Sequence, residues 1–224
     1  MRRHVHPVET IPYEGGPVSA VWDHAERAEG VLVLGHGAGG TLQTPGLARF
    51  AAEMAARGIT TVRFNFPYAE AGRRVPDRRP ILEGCYRAVA SQVGERSESR
   101  SGLYLGGRSM GGRIASHLVA AGFPARGLVF LGYPLHPPDQ PDQLRDAHLT
   151  GISVPMLFLQ GSRDAFARPD LLARTLDRLP TATRHVVEGA DHGLTVRGRP
   201  TAEVVAELAD VTAAWLAGRG KPPA

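Results

Sequence analysis

Ser109 stands in Gly107-Arg108-Ser109-Met110-Gly111, with the apolar run LYL before it and IASHLVAA after it. A strand, a tight turn and a helix in that order would lift the serine hydroxyl out at the turn, where a nucleophile has to be. The flanking glycines leave room where side chains would clash. The pattern alone is a modest signal in a chain with 27 glycines, and a structural turn with an exposed serine is the plain alternative. Its setting between a strand and a helix gives it weight. The chemistry of such a serine is attack on an acyl carbonyl. That attack needs a base, a group to orient the base, and donors for the oxyanion.

Three loops hold candidates for those roles. Asp164 lies in LFLQGSRDAFA (157–167), just past a strand-like run, where an acid can hold a histidine in one tautomer and stabilise its imidazolium. His192 lies in VVEGADHGL (186–194), a glycine-flanked loop after the last such run. Each is weak by itself, since loop aspartates mostly form turns or caps and loop histidines are mostly incidental. Asp191 adjoins His192 and would struggle to fold back onto its ring, and Glu188 is a reserve acid, so Asp164 is preferred. The third loop, GHGAGG (35–40), follows VLVLG and could turn main-chain N–H groups into a site as an oxyanion hole does. Gly35, Gly37 and Gly40 also satisfy the dinucleotide fingerprint G-x-G-x-x-G, which needs a helix at the last glycine and an acid about 20 residues on. Here TLQTP intervenes, and the next strand ends in Arg63, Phe64 and Asn65. Arg63 would suit a 2′-phosphate, so a nucleotide site stays open beside the oxyanion hole.

The elements that must position these loops alternate along the chain. Short apolar runs predict strands over 18–22, 31–35, 59–64, 102–106, 128–132, 155–160 and 183–187. Most are continuous rather than alternating, as suits strands buried on both faces of a parallel sheet. Helical spacing predicts helices over 46–57, 80–95, 110–121, 169–178 and 201–217. The last has Val204, Val205, Leu208, Val211, Ala214 and Trp215 as its apolar stripe and Thr201 as its cap. Trp22 and Trp215 read as core. Strands alternating with helices predict an α/β fold with a mostly parallel central sheet and helices on both faces. In such folds the chemistry sits beyond the carboxyl ends of the strands. Residues 133–154 are few and rich in proline (Pro134, Pro137, Pro138, Pro141), so no sizeable cap domain is expected there, and the cleft should be open and shallow.

Composition narrows the classes. The chain has 224 residues, 42% hydrophobic and 21% charged, which suits one globular domain over 1–224 with its core at about 18–217. No run approaches the roughly 20 apolar residues of a membrane span. The start, MRRHVHPVET, shows no secretory or twin-arginine signal. Cys85 is the only cysteine, which excludes an intramolecular disulfide and a cysteine-built zinc site, and the expected address is the cytoplasm. His4 and His6 have no third ligand near them in sequence, so no metal is expected. Lys221 is the only lysine among 26 basic residues and precedes Pro222, which excludes the Gly-Lys-Ser/Thr of a P-loop. The formal charge is +4, but the arginines are scattered, and a compositional bias accounts for their number. No nucleic-acid or membrane partner is expected. The one dense group, Arg73, Arg74, Arg78 and Arg79, either borders the cleft and favours an anionic substrate or is solvated charge. His136, in PLHPP, either lines the site or sits in a proline-braced loop. His36 orders the glycine loop rather than acting as a base, and with Gly39 it is a further candidate for the cleft wall.

The order Ser109, Asp164, His192, each just past a strand with the glycine loop upstream, is the nucleophile–acid–base order of α/β-hydrolases. Over roughly residues 18–217 the chain resembles the small, lidless members of that fold in the dienelactone-hydrolase-like group. It is most similar to bacterial relatives of the testis-expressed-protein-30 branch. RFNFPY (63–68), GRRVPD (72–77), YLGGRSMGGRIAS (104–116), GYPLHPP (132–138) and QGSRDAF (160–166) carry the likeness. The resemblance implies Ser109 as nucleophile, His192 as base and Asp164 as its orienter, with oxyanion donors from the N–H groups of Ala38 and Met110. It implies hydrolysis of an acyl ester or thioester through an acyl-enzyme, with no cofactor. Dienelactone hydrolases proper carry a cysteine at the elbow, so the serine here departs from them. A binding or scaffold protein on the same fold, without activity, is the rival expectation. Substrate and oligomeric state are not legible.

Overall fold

The apolar runs pair into one sheet of eight strands in a computed structural model that describes residues 7–96 and 102–219. The strands are β1 (Val8–Ile11), β2 (Val18–Asp23), β3 (Gly30–Gly35), β4 (Ile59–Phe64), β5 (Leu103–Arg108), β6 (Gly127–Leu131), β7 (Met156–Gly161) and β8 (Ala182–Val187). Their order across the sheet is β1-β2-β4-β3-β5-β6-β7-β8. From β4 to β8 every pairing is parallel, while β1 and β2 add an antiparallel edge. The helices are α1 (Pro45–Ala55), α2 (Pro67–Glu70), α3 (Arg79–Arg96), α4 (Met110–Ala120), α5 (Pro169–Leu176) and α6 (Thr201–Arg219), with a short 3₁₀ turn at Ala147–Gly151.

Continuous apolar strands make sense here because side chains alternate between two separate cores. In β6, Leu128 and Phe130 face one core and Val129 and Leu131 the other. In β7, Met156 and Phe158 part from Leu157 and Leu159 in the same way. The first core is closed by α3, α4 and α5 through residues such as Val89, Ile114 and Leu172. The second is closed by α1 and α6 through Phe50, Met54, Val204 and Leu208. Fully burying one such side chain is worth about 1.5–3 kcal/mol. The two filled faces therefore hold the strands in place and with them the loops at their carboxyl ends.

Several expectations needed correction. β1, α2 and the 3₁₀ turn were not expected. β8 is an edge strand and only half-buried. α6 buries Val204, Val205, Leu208, Ala209, Thr212 and Leu216, so its inner face is rotated away from Ala214, which is exposed. Trp215 is partly buried and packs against the second core, while Trp22 belongs to the first. Thr201 is the first residue of α6 rather than its cap, and the Pro200 carbonyl receives the N–H groups of Glu203 and Val204. Residues 133–154 form a short irregular connection with no cap domain. Among the described residues no helix is long and apolar enough to cross a membrane, and no group of three or more ligating side chains gathers as a metal would require. His4 and His6 lie outside the described residues.

Candidate active site

β5 delivers its chain to the carboxyl edge of the sheet and α4 takes it away, leaving Ser109 at the turn with φ 48° and ψ −113°. A non-glycine residue rarely adopts a positive φ, and here the cost is borne by tight packing on both sides. A Cβ on Gly107 would stand 2.2 Å from the carbonyl oxygen of Gly35, and one on Gly111 would stand 2.1 Å from the same atom. Both glycines of the pentapeptide are thus demanded by one backbone group at the end of β3.

The loops after β7 and β8 bring the other two candidates to that serine. The Ser109 hydroxyl lies 2.9 Å from Nε2 of His192, and Nδ1 of His192 lies 2.8 Å from Oδ2 and 2.9 Å from Oδ1 of Asp164. Asp164 is buried, and its carboxylate also accepts from the Phe166 N–H at 2.7 Å and from the Gln160 side-chain amide. Gln160 is itself fixed, because its Oε1 accepts from the Tyr133 N–H at 2.9 Å. The His192 ring packs on Phe166, with centroids 4.2 Å apart. Arg108 clamps the histidine loop from below by donating to the carbonyls of His192 (3.0 Å) and Gly193 (3.1 Å). Burial lowers the pKa of this guanidinium, and Asp164 and Asp191 partly offset that.

The glycine loop after β3 is tied down from inside the fold. His36 is fully buried; its Nδ1–H donates to the Gly37 carbonyl at 2.8 Å and its Nε2 accepts from the Phe66 N–H at 3.1 Å. Burial pushes its pKa down to about 4, partly opposed by the bond to Gly37, so the ring is neutral. Tyr68 also donates to the Gly37 carbonyl (3.3 Å) and accepts from the Gly39 N–H (3.2 Å). Gly40 N–H donates to the same carbonyl at 3.0 Å. Among the described residues, the N–H groups of Ala38 and Met110 have no such acceptor. The Met110 group stands at the first position of α4, where helix N–H groups are unpartnered by geometry.

A cavity of about 320 Å³ opens beside Ser109. Ala38, Met110, Ile114 and Phe166 line it, together with Arg79, Arg113 and Arg145. A larger hollow of about 540 Å³ lies at the opposite ends of the strands, between Asp23 and Gly58, and contains none of the candidate residues.

Residues 28–217 match the family described as alpha/beta hydrolase domain. The chain belongs to that family. Its α/β-hydrolase fold recurs in a lidless serine hydrolase from Xanthomonas campestris, 20% identical, with a TM-score of 0.74 over 100% of this chain and 99% of that one. It recurs in a serine hydrolase homologue from Coxiella burnetii, 17% identical, with a TM-score of 0.76 over 96% and 100%. A dienelactone hydrolase from Anabaena variabilis, 16% identical, gives 0.75 over 95% and 97%.

Within this α/β-hydrolase fold the remaining candidates fall into place. Asp191 uses its carboxylate to accept from the Thr195 N–H at 3.0 Å, and Glu188 accepts from the Ser162 hydroxyl at 2.9 Å, so neither reserve acid meets the His192 ring. Arg63 is buried against Asp23 at 2.9 Å and donates to the Leu42 carbonyl, which removes it from any 2′-phosphate. α1 starts only at Pro45, so the glycine loop does not open a helix as a dinucleotide site needs. His36, Gly39 and His136 do not line the cavity. His36 holds the loop from beneath, Gly39 is exposed, and buried His136 braces its proline loop. Nδ1 of His136 donates to the Pro137 carbonyl and its Nε2 accepts from the Arg168 N–H. Cys85 is buried in α3 with its thiol pushed up to about 12 by burial, unsuited to act as a nucleophile. Of the arginine group, Arg79 reaches the cavity, while Arg73 is an exposed partner of Asp77 at 2.7 Å. Gln160, Arg108, Tyr68, Arg113 and Arg145 were missed. For Arg113 a signal existed: it follows Ser109 by four residues on a helix, which places both on one face.

Proposed function

We propose that this chain is a serine hydrolase that cleaves small esters or thioesters through an acyl-enzyme, with the whole chain serving as one catalytic domain. The observation that carries the proposal is the unbroken hydrogen-bonded line from the Ser109 hydroxyl through His192 to buried Asp164. Ser109 Oγ attacks the acyl carbonyl while His192 Nε2 takes its proton. Asp164, fixed by Gln160 and the Phe166 N–H, holds the imidazole in the Nδ1–H tautomer and stabilises the imidazolium. The N–H groups of Ala38 and Met110 receive the oxyanion, an interaction worth about 10²–10³ in rate per donor. His192 then protonates the leaving alcohol or thiol. Water, activated by the same Nε2, releases the acid and restores Ser109. No step needs a metal or organic cofactor.

Without a cap the site favours short or exposed acyl groups. Within the family, YLGGRSMGGR (104–113) argues for the testis-expressed-protein-30-like branch, and a lone buried cysteine suits the cytoplasm. The test is stopped-flow hydrolysis of 4-nitrophenyl acetate and an acetyl thioester. A burst of one product per chain is expected in the wild type, and a loss of roughly 10⁴-fold or more in Ser109→Ala. Undiminished turnover in that variant would remove Ser109 from the mechanism. A folded wild type inert to both substrates would favour a binding role for the fold.

A further inference from the structure

The cavity beside Ser109 is unevenly charged. Arg79 reaches it from the first turn of α3, Arg113 from α4 one turn past the elbow serine, and Arg145 from the connection between β6 and β7. One carboxylate, Asp77, lines the same cavity, and Arg73 holds it at 2.7 Å. Of the nearby acids, Glu83 pairs with Arg79 itself at 3.3 Å, while Asp146 is taken by Arg178 at 2.6 Å and by the Thr175 hydroxyl at 3.0 Å.

Among the described residues, the side chains of Arg113 and Arg145 make no hydrogen bond or ion pair, and Nε of Arg113 is sealed from solvent with no acceptor. Burial, with Arg113 as the next cause, lowers the pKa of Arg145. The stacked rings of His117 and His148, 3.6 Å apart, feel the same charge. Burial first, then His148 for His117 and Arg113 for His148, pushes them down to about 3 and about 4. Cations half-removed from water are costly unless an anion meets them. Asp77 turns one oxygen to Arg73 and keeps the other sealed from solvent without a partner, yet among the described residues no carboxylate pairs with Arg113 or Arg145, and the two share their cavity with the serine.

We propose that Arg113 and Arg145, with Arg79 at the rim, form a subsite for a carboxylate carried by the ester or thioester that Ser109 attacks. This rests on the serine-hydrolase reading and narrows its substrate class. Guanidinium and carboxylate match as paired, charge-assisted hydrogen bonds. The apolar side chains of Leu82, Ile114 and Phe166 in the same wall cover the methylene stem between that carboxylate and the reacting carbonyl. A volume of about 320 Å³ sits at the lower end for ligand pockets, which fits a short acid rather than a large anionic cofactor.

Two matched substrate pairs test this. One places the charge on the acyl side: the 4-nitrophenyl monoester of adipic acid against its methyl-capped neutral twin. The other places it on the leaving group: 4-acetoxybenzoate against methyl 4-acetoxybenzoate. The wild type is expected to favour the anionic member of one pair at least tenfold in kcat/KM at low salt, and that pair reports which side the arginines read. In Arg113→Gln/Arg145→Gln the anionic-to-neutral ratio, measured within the variant, is expected to fall to about one. A wild-type ratio of one or less in both pairs, or a preference that survives in the double variant, overturns the subsite while leaving the hydrolase reading intact. If the wild type cleaves no ester, the hydrolase reading fails separately. Calorimetric binding of the adipate monoester, lost in the double variant, then supports the subsite, and absence of binding overturns it.

Discussion

Acid should weaken this fold through His36, and the size of the effect follows from its surroundings. The ring is fully buried, donates to the Gly37 carbonyl and accepts from the Phe66 N–H, so a proton on Nε2 would set two donors against each other. Its pKa is about 4 in the folded chain against 6.5 for a free imidazole. Because the folded pKa is lowered, the unfolded chain binds a proton between pH 6.5 and 4 that the folded chain refuses. His36 therefore contributes its full stability above pH 6.5 and loses it as the pH falls towards 4. At about 1.4 kcal/mol per pH unit over this window, the loss is about 3 kcal/mol. His117 and His148 act in the same direction. Urea unfolding followed by circular dichroism at pH 7, 6, 5 and 4 isolates the share of His36 when His36→Asn is measured alongside. The stability gap between wild type and variant should shrink by about 3 kcal/mol from pH 7 to 4. A gap that stays constant within about 1 kcal/mol across that range refutes the reasoning. So would an NMR titration of the wild type in which the His36 ring takes its proton above pH 5.5.

Other consequences are sharper in outcome. Gly107→Ala and Gly111→Ala each drive a methyl group into the Gly35 carbonyl, backbone that cannot swing aside. Thermal melting should show a loss of several degrees or no folded protein. Gly46→Ala, in α1 with open space around it, should melt at or slightly above the wild-type temperature. Gln160→Leu strips a donor from Asp164 and an acceptor from the Tyr133 N–H. Its kcat should fall roughly tenfold to a hundredfold with KM little changed, and the acid limb of its pH profile should move. A parallel fall in stability with an unmoved pH profile would make Gln160 merely structural.

The parts of the sheet that were legible in sequence are those buried on both faces. VLVLG and LVFLG could be read because each residue enters one of two cores, so hydrophobicity is unbroken along the strand. VETI of β1 escaped because it is a four-residue edge strand with only Ile11 buried, and its remaining residues answer to solvent. α2, four residues long, is too short for helical spacing to show. The candidate triad was legible because strained turns and loop chemistry are written in local residue types. The supporting side chains were not. Gln160 sits inside β7 and meets Asp164 only because the chain turns back at once, and Arg108 acts on a loop 84 residues away. Arg145 reaches the cavity beside Ser109 through tertiary folding of an irregular connection, which no periodicity records.

If Ser109 is an activated nucleophile, a fluorophosphonate will label the purified chain covalently at that residue. The serine oxygen would displace fluoride from phosphorus, and peptide mass spectrometry would place the adduct. One label per chain is expected, carried on Ser109, absent in Ser109→Ala and strongly slowed in His192→Ala. A folded wild-type chain that takes no label, or takes it elsewhere, would show that Ser109 is not the nucleophile.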